Sequence, residues 1–341
     1  GLIALATLVP ESRSAERPKV DLVGVALSVA GLVSLTYGLI SAGQDGWTDA
    51  RALVAMAAGA LVLVGFFAWE RRLNAEPGGQ PLLDLSLFRS ASFTWGVILA
   101  AVAVLSMIGV LFTLPQYFQG VLGTNAMGSG LRLLPVIGGL IIGAVPSDRV
   151  VKLVGAKLTA GAGFALIAVG LLIGTSTGIA SSTLFVAVWM AIVGVGMGLA
   201  LSTATSAALV ELSEERSGVG SAVLQAVNKV GGPFGTAILG SVLSSLYLSH
   251  LVVTGLTAPA AAAVRQSIFG GVAVAQQIGS TALLHSVRAA FVTGMDAALL
   301  VSAGIAVLGL VLTLLFLPHT NKLSENQPVP PLEERELVTA G

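Results

Sequence analysis

Apolar runs of about twenty residues recur along almost the whole of this chain, and that length fixes most of what the chain can become. A helix of about twenty residues is what crosses the ~30 Å hydrocarbon core of a bilayer. Of the 341 residues, 55% are hydrophobic and only 10% charged, too little charge to cover a water-soluble domain of this size. The runs do not alternate between polar and apolar residues as the strands of a membrane barrel would. The chain therefore reads as an all-α, polytopic membrane protein with the lipid bilayer as its solvent. Its net charge of zero gives no electrostatic footprint for nucleic acid. The absence of cysteine excludes disulfides, thiolate metal sites and cysteine nucleophiles within it. No Ser/His/Asp or HExxH arrangement and no Walker loop occurs, so no catalytic residue, metal site or cofactor is expected. His250, His285 and His319 lie far apart beside predicted helix ends, where interfacial positions rather than ligation are expected.

About eight full spans are predicted: 21–40, 52–69, 93–114, 130–145, 158–174, 183–210, 218–246 and 294–317. Before them, GLIALATLV at residues 1–9 is apolar but too short to span and stops at Pro10. It reads as the end of a truncated transmembrane helix, and the chain as the C-terminal portion of a longer protein. Residues 247–290 read as a connection with short interfacial helices, and 318–341 as a disordered tail rich in Pro and Glu. Cytoplasmic loops carry an excess of Lys and Arg. With the linker before Asp21 placed in the cytoplasm, twelve of the 17 basic residues fall on that side and three, Arg51, Arg265 and Arg288, on the other. The C-terminus is then expected in the cytoplasm of a multi-pass cell-membrane protein.

Small residues four apart let helix backbones approach closely in lipid. They occur at Gly139 and Gly143, Gly170 and Gly174, Gly194 and Gly198, and Gly231 and Gly235. Pro135 and Pro233 are placed to bend their helices.

Polar side chains are costly in lipid and usually face a cavity or a partner. Lys229 lies about twelve residues into its predicted span, ~18 Å along the axis, and Gln225 shares its face with Asn228 beside them. Both a substrate pathway and a plain packing role fit these three. Gln116 and Gln119 close the third span and Arg132 lies near one end of the fourth; each is a candidate for the pathway or for an interfacial position. Asp296 reads as the start of the last span, where a helix N-terminus favours an acid. Ser202, Thr203, Thr205 and Ser206 are expected to bond their own helix backbone.

Three segments carry a resemblance: FAWERR followed by PLLDLSLFR, LPQYFQGVLGTNAMGSGLRLLP, and GSAVLQAVNKVGGPFGTAILGSV. In this order and spacing the chain resembles the major facilitator superfamily, and within it the fourteen-helix drug:proton antiporter branch. The resemblance implies a helical bundle of the major facilitator type, and a missing N-terminal six-helix half whose last helix ends in residues 1–9. Residues 10–92 would be a linker and two extra helices between the halves, and 93–317 the C-terminal six-helix half-bundle. It implies proton-coupled efflux of drugs or amphipathic small molecules by alternating access, with the substrate near the midplane between the halves. Small-molecule substrate and protons would be the partners. The rivals are a narrow-substrate metabolite exporter and a non-transporting membrane scaffold or partner subunit. The family's gating loop pairs Asp-Arg with a nearby Gly and a basic residue. Asp148 and Arg149 fit, while Gly155 and Lys157 follow after a longer gap. Relatives often carry Arg-Gln where this chain has Asn228-Lys229, so the positive charge is kept but turned about 100° around the helix.

Overall fold

The computed structural model describes residues 21–76, 85–210, 212 and 214–318. The expected truncated helix, most of the linker and nearly all of the tail lie outside them. Twelve α-helices form the described part: α1 (Leu22–Asp45), α2 (Ala50–Ala75), α3 (Ala91–Gln116), α4 (Ala126–Arg132), α5 (Leu134–Ala144), α6 (Ser147–Val154), α7 (Ala156–Gly174), α8 (Thr183–Leu209), α9 (Glu214–His250), α10 (Ala258–Gln266), α11 (Ile268–Gln277) and α12 (Thr281–Phe316). A 3₁₀ turn (Leu85–Arg89) leads into α3, and a π turn (Tyr117–Val121) follows it. No strand occurs among the described residues.

Local chemistry sets the starts. Asp21 accepts from the Val23 amide at 3.1 Å, and Asp49 from Arg51 and Ala52. Ser90, Asn125, Ser182, Ser267 and Ser280 each accept from the amide three residues on. Each such cap satisfies a donor that the first turn leaves free and contributes about 1 kcal/mol.

Seven spans, α1, α2, α3 with its π turn, α4 with α5, α7, α8 and α12, are long and apolar enough to cross a membrane. The eighth expected span, α9, does not qualify by the same measure. Gln225, Asn228, Lys229 and a high share of Gly and Ser lower its hydropathy. Large apolar side chains such as Leu61, Val64, Ile137, Ile142, Leu172 and Leu315 stand exposed, a surface suited to hydrocarbon rather than water.

Three boundaries differ from expectation. The fourth span is broken at Leu133 into α4 and α5, because Pro135 cannot donate and starts a new helix in its first turn. The segment at 147–154, expected as a loop, is the helix α6. The last helix begins at Thr281 rather than near Gly294. The expected short helices in 247–290 are α10 and α11.

Helix α8 packs against α3, α5 and α7, and α12 against α3, α7 and α9. Trp189, Phe93, Phe164 and Phe291 are fully buried where they meet. The hairpin α1–α2 stands to one side, with α1 against α9.

The α5–α8 seam is made by glycine. A Cβ added at Gly139 would land on the carbonyl of Ala191, and one at Gly143 on that of Val195; from the other side, Gly194 faces the Val136 carbonyl and Gly198 that of Leu140. Backbone touches backbone at all four. Gly163 and Gly196 face one another in the same way between α7 and α8. Gly170 and Gly174 make room for Val193 and the Trp189 ring. The pair at Gly231 and Gly235 behaves differently. Gly235 packs on Ile108, but Gly231 faces nearly open space, so helix packing does not explain it.

Gly194→Leu is expected to wedge α5 from α8 and cost at least ~1–3 kcal/mol. Gly138→Leu, on α5 but with nothing within 4 Å of its would-be Cβ, should be neutral. Thermal melting of the detergent-solubilised protein, followed by size-exclusion chromatography, compares the two; equal midpoints would contradict the seam.

Candidate functional site

Helix α9 places its polar side chains on an open face. Gln225 and Lys229 are exposed, Gly232 has nothing nearby, and Thr236 is exposed. At spacings of four, three and four these positions lie along one side of the helix. Asn228 is half-buried beside them, and its side-chain oxygen is buried with no hydrogen-bond partner. Pro233 has no N–H to return to the carbonyl of Lys229, the acceptor four residues back. The Thr236 hydroxyl bonds instead to the carbonyls of Gly232 and Pro233, at 3.1 and 3.0 Å. The middle of α9 is therefore a notch without side-chain bulk, flanked by a cation and an amide.

Away from this face the first half of α9 buries Val223 and Leu224, and further along the second half buries Leu239 and Leu243. Between its first half and the α1–α2 hairpin lies an apolar cavity of about 560 Å³, lined by Phe66, Phe67, Phe88, Val219, Val223 and Val227 among others. A smaller cavity of about 300 Å³ lies further along, between α9, α3 and α11, with Gln116, Thr236, Tyr247, Ile268 and Phe291 in its wall.

The expected pathway residues do not assemble into one site. Gln116 donates to the Phe112 carbonyl at 2.9 Å and faces the smaller cavity. Gln119 is half-buried inside the π turn. Neither closes the span, because the chain winds on from α3 through Tyr117–Val121; π turns of this kind are frequent at functional sites. Arg132 sits in the last turn of α4, with its guanidinium carbon 5.9 Å from the Phe118 ring centre. Only Gln225, Asn228 and Lys229 share a surface.

A second polar cluster surrounds the π turn. Tyr117 is fully buried and donates to the Gly178 carbonyl at 2.8 Å. Arg132 and Asp296 both lie within electrostatic range of it. Each carries a buried atom with no hydrogen-bond partner, Nη1 of Arg132 and Oδ1 of Asp296. Because α12 begins at Thr281, Asp296 stands ~22 Å along that helix, and the expectation that it caps a span is overturned. The Trp189 indole N–H is also buried without a partner. The reading from sequence passed over Tyr117 and Trp189 and misjudged Asp296. The signal available was the absence of any helix breaker between Thr281 and Asp296 other than Gly294.

At the other end of the bundle, Asp148 lies in the first turn of α6, where the helix dipole favours an acid. Arg149 is exposed and Lys157 half-buried at the start of α7. Gly155 joins the two helices at φ +88°, a conformation that suits glycine, and its N–H bonds to the Val151 carbonyl at 2.8 Å. The helix keeps Asp148 and Gly155 ~10 Å apart. Asp148 lines an open pocket of about 400 Å³ with Ser147, Ser202, Thr205 and Ser206. Three of the four hydroxyl residues expected to serve only their own backbone thus face a polar pocket, and the fourth, Thr203, has a buried hydroxyl with no partner.

Residues 4–236 match the sequence profile of the Major Facilitator Superfamily. The chain is 32% identical over 246 residues to the tetracenomycin C resistance and export protein of Streptomyces glaucescens, covering 72% of this chain and 45% of that protein. It is 33% identical over 321 residues to the multidrug efflux pump LfrA of Mycolicibacterium smegmatis, covering 89% and 60%. With the lincomycin resistance protein LmrB of Listeria monocytogenes it shares 29% identity over 231 residues, 67% and 48% of the two chains. It thus spans about half the length of the curated relatives it matches. The extended match to the profile, together with an all-helical bundle of apolar spans, shows that the chain belongs to the Major Facilitator Superfamily.

Proposed function

We propose that this chain is the C-terminal portion of a fourteen-helix, proton-coupled exporter of drugs or other amphipathic small molecules. The observation that carries the reading is the open polar face of α9. In a helix packed among membrane spans, a stripe of Gln225, Lys229 and Thr236 beside the Gly231–Gly232 notch is costly unless it lines a watery path or a partner helix. The names of the relatives, an antibiotic export protein and a multidrug efflux pump, support export. In this arrangement α9 would face an N-terminal six-helix half, α1 and α2 would be the two extra helices, and rocking of the halves would alternate access. Arg149, Lys152 and Lys157 support a cytoplasmic α6 end through the positive-inside rule. A narrower reading, one secreted metabolite rather than many drugs, is favoured by the relative named for a single antibiotic.

The test is expression of the whole protein in bacteria lacking their own pumps, with a panel of antibiotics and a fluorescent dye. Raised resistance and lowered dye retention, both abolished by a protonophore, are expected; no change for any compound would overturn the export reading. Resistance confined to one compound class would favour the narrower one.

Within that assay, Lys229→Ala is expected to insert normally and to lower transport about tenfold, the equivalent of ~1.4 kcal/mol. Full activity would reduce Lys229 to a packing residue. Asp148→Asn should cost no more than about twofold, ~0.4 kcal/mol, because the first turn of α6 keeps a polar side chain facing the same pocket. An inserted but inactive Asp148→Asn protein would show that the α6 end has a larger role.

A further inference from the structure

We propose that the apolar cavity between α9 and the α1–α2 hairpin holds an acyl tail of an anionic phospholipid, whose phosphate is bound at the mouth by Arg71 and Arg89. The proposal goes beyond the export reading and does not depend on it.

The cavity is a seam left by uneven packing. Near the end of α1 the hairpin lies directly on α9, where a Cβ added at Gly43 would meet the Ala237 backbone at 3.1 Å. Toward the other end the two stand apart. There about 560 Å³ opens between Ser28 and Leu32 of α1, Phe66 and Phe67 of α2, Phe88 of the 3₁₀ turn and Val223 of α9, among others. The hairpin does not close on itself to fill this space. Gly59 of α2 lies against the backbone of Gly31 and Leu35 of α1, and the Trp69 indole donates to Asp21 at 2.9 Å. The two helices thus move as one unit.

The walls select the occupant. Ser28 is the one described lining residue with a polar side chain, and its hydroxyl already donates to the Val25 carbonyl at 3.0 Å. Nothing inside can orient a polar or charged ligand. The cavity follows α9 from Gly218 to Val227, ~14 Å along the axis. A long apolar space without hydrogen-bonding handles suits a flexible hydrocarbon tail.

The mouth selects the headgroup. Phe67 and Phe88 are exposed there, and each leads to an arginine. Arg71 stands one turn beyond Phe67 on the same side of α2, Arg89 follows Phe88, and α2 touches the turn that holds them both. Arg71 and Arg89 are exposed, and neither pairs with a carboxylate among the described residues. The carboxylates nearby are engaged elsewhere. Asp21 accepts from Val23 and Trp69, Glu76 pairs with Arg72 at 3.1 Å, and Glu70 is fully buried against α1 at Gly24. Arginine lays its stem on apolar surface and keeps its charge at the interface, and two guanidinium forks match a phosphate. Basic pockets between helices on the cytoplasmic side take anionic headgroups in this way. The positive-inside rule favours that side for both arginines.

The test reconstitutes the whole protein in phosphatidylcholine nanodiscs with a trace of phosphatidylglycerol carrying a photoreactive diazirine in one tail. After irradiation the cross-linked peptides are mapped by mass spectrometry. Labels are expected on α2 around Phe66 and on α9 between Gly218 and Val227, competed by unlabelled phosphatidylglycerol far better than by phosphatidylcholine. Arg71→Gln combined with Arg89→Gln should lower labelling of these peptides about tenfold, with labels elsewhere on the surface unchanged. Ala222→Phe, which fills the cavity, should abolish them, whereas Ala222→Ser should label as wild type. Each variant is checked for folding by size-exclusion chromatography. Labels spread evenly over the lipid-facing surface, equal competition by the two lipids, or undiminished labelling in the double variant would overturn the proposal. Displacement by the dye ethidium but not by phosphatidylglycerol would give the cavity to a transported compound, and an unlabelled cavity would mean that protein covers it; either result would overturn the proposal too. Labelling is read without transport, so this outcome and that of the export reading are separate.

Discussion

Lipid gives no free energy for turning one apolar helix face toward another, so this bundle depends on how closely its helix backbones can approach. The glycines of α5 and α8 supply that approach reciprocally, each set lying against the carbonyls of the other helix. With no Cβ between them the helices gain dispersion contacts along several turns and exclude lipid. The same device joins α7 to α8 at Gly163 and Gly196. Helix α8 is thereby held on two sides, and its Trp189 becomes one of the largest fully buried side chains of the bundle. A smooth glycine seam has no interlocking side chains, so it also permits small sliding between the helices it joins. Stability and the capacity to move share one origin.

Against that apolar frame the polar groups stand out by position rather than number. They occupy three levels: the pocket at Asp148 and Ser202 at one end, the face of α9 at Gln225 and Lys229, and the cluster of Tyr117, Arg132 and Asp296 at the π turn. Each lies where regular helix is interrupted. Val145 and Pro146 separate α5 from α6 beside Asp148, Pro233 leaves the Lys229 carbonyl without its usual donor, and the π turn and Leu133 isolate α4. Interrupted backbone at membrane depth is tolerated only where it is buried in protein or lines a cavity. The coincidence of interruption and polarity is what separates these places from ordinary helix packing.

Much of this was legible in the residues. The existence of α1, α2, α3, α7 and α8 follows from apolar length, although α1 runs to Asp45 and α2 to Ala75, past the expected ends at 40 and 69. Lys229 and Gln225 announced themselves as polar residues in an apolar run. The start of α12 was not legible by hydropathy, because His285 and Arg288 make residues 281–293 look like a connection although nothing there breaks a helix. That one error displaced Asp296 from mid-helix to helix end. Helix α6 was read as a loop for a similar reason, since its charges outweigh a strong two-sided pattern of Val and Leu. The pairing of Tyr117 with Gly178, and of Arg132 with Phe118, joins distant elements and leaves no local signature. Gly231 shows the converse. Spacing alone made it a packing residue, and only its surroundings show the open notch.

The central claim is that the Gln225–Lys229 face of α9 meets water inside a transport path. The most direct measurement places a single cysteine at Gln225 in the whole protein, in membranes, since these 341 residues contain none. A membrane-impermeant maleimide should label it, and saturating substrate should protect it. A cysteine that stays unlabelled by that reagent under all conditions, yet reacts with a lipid-soluble one, would place the face against lipid or a sealed helix and contradict the account.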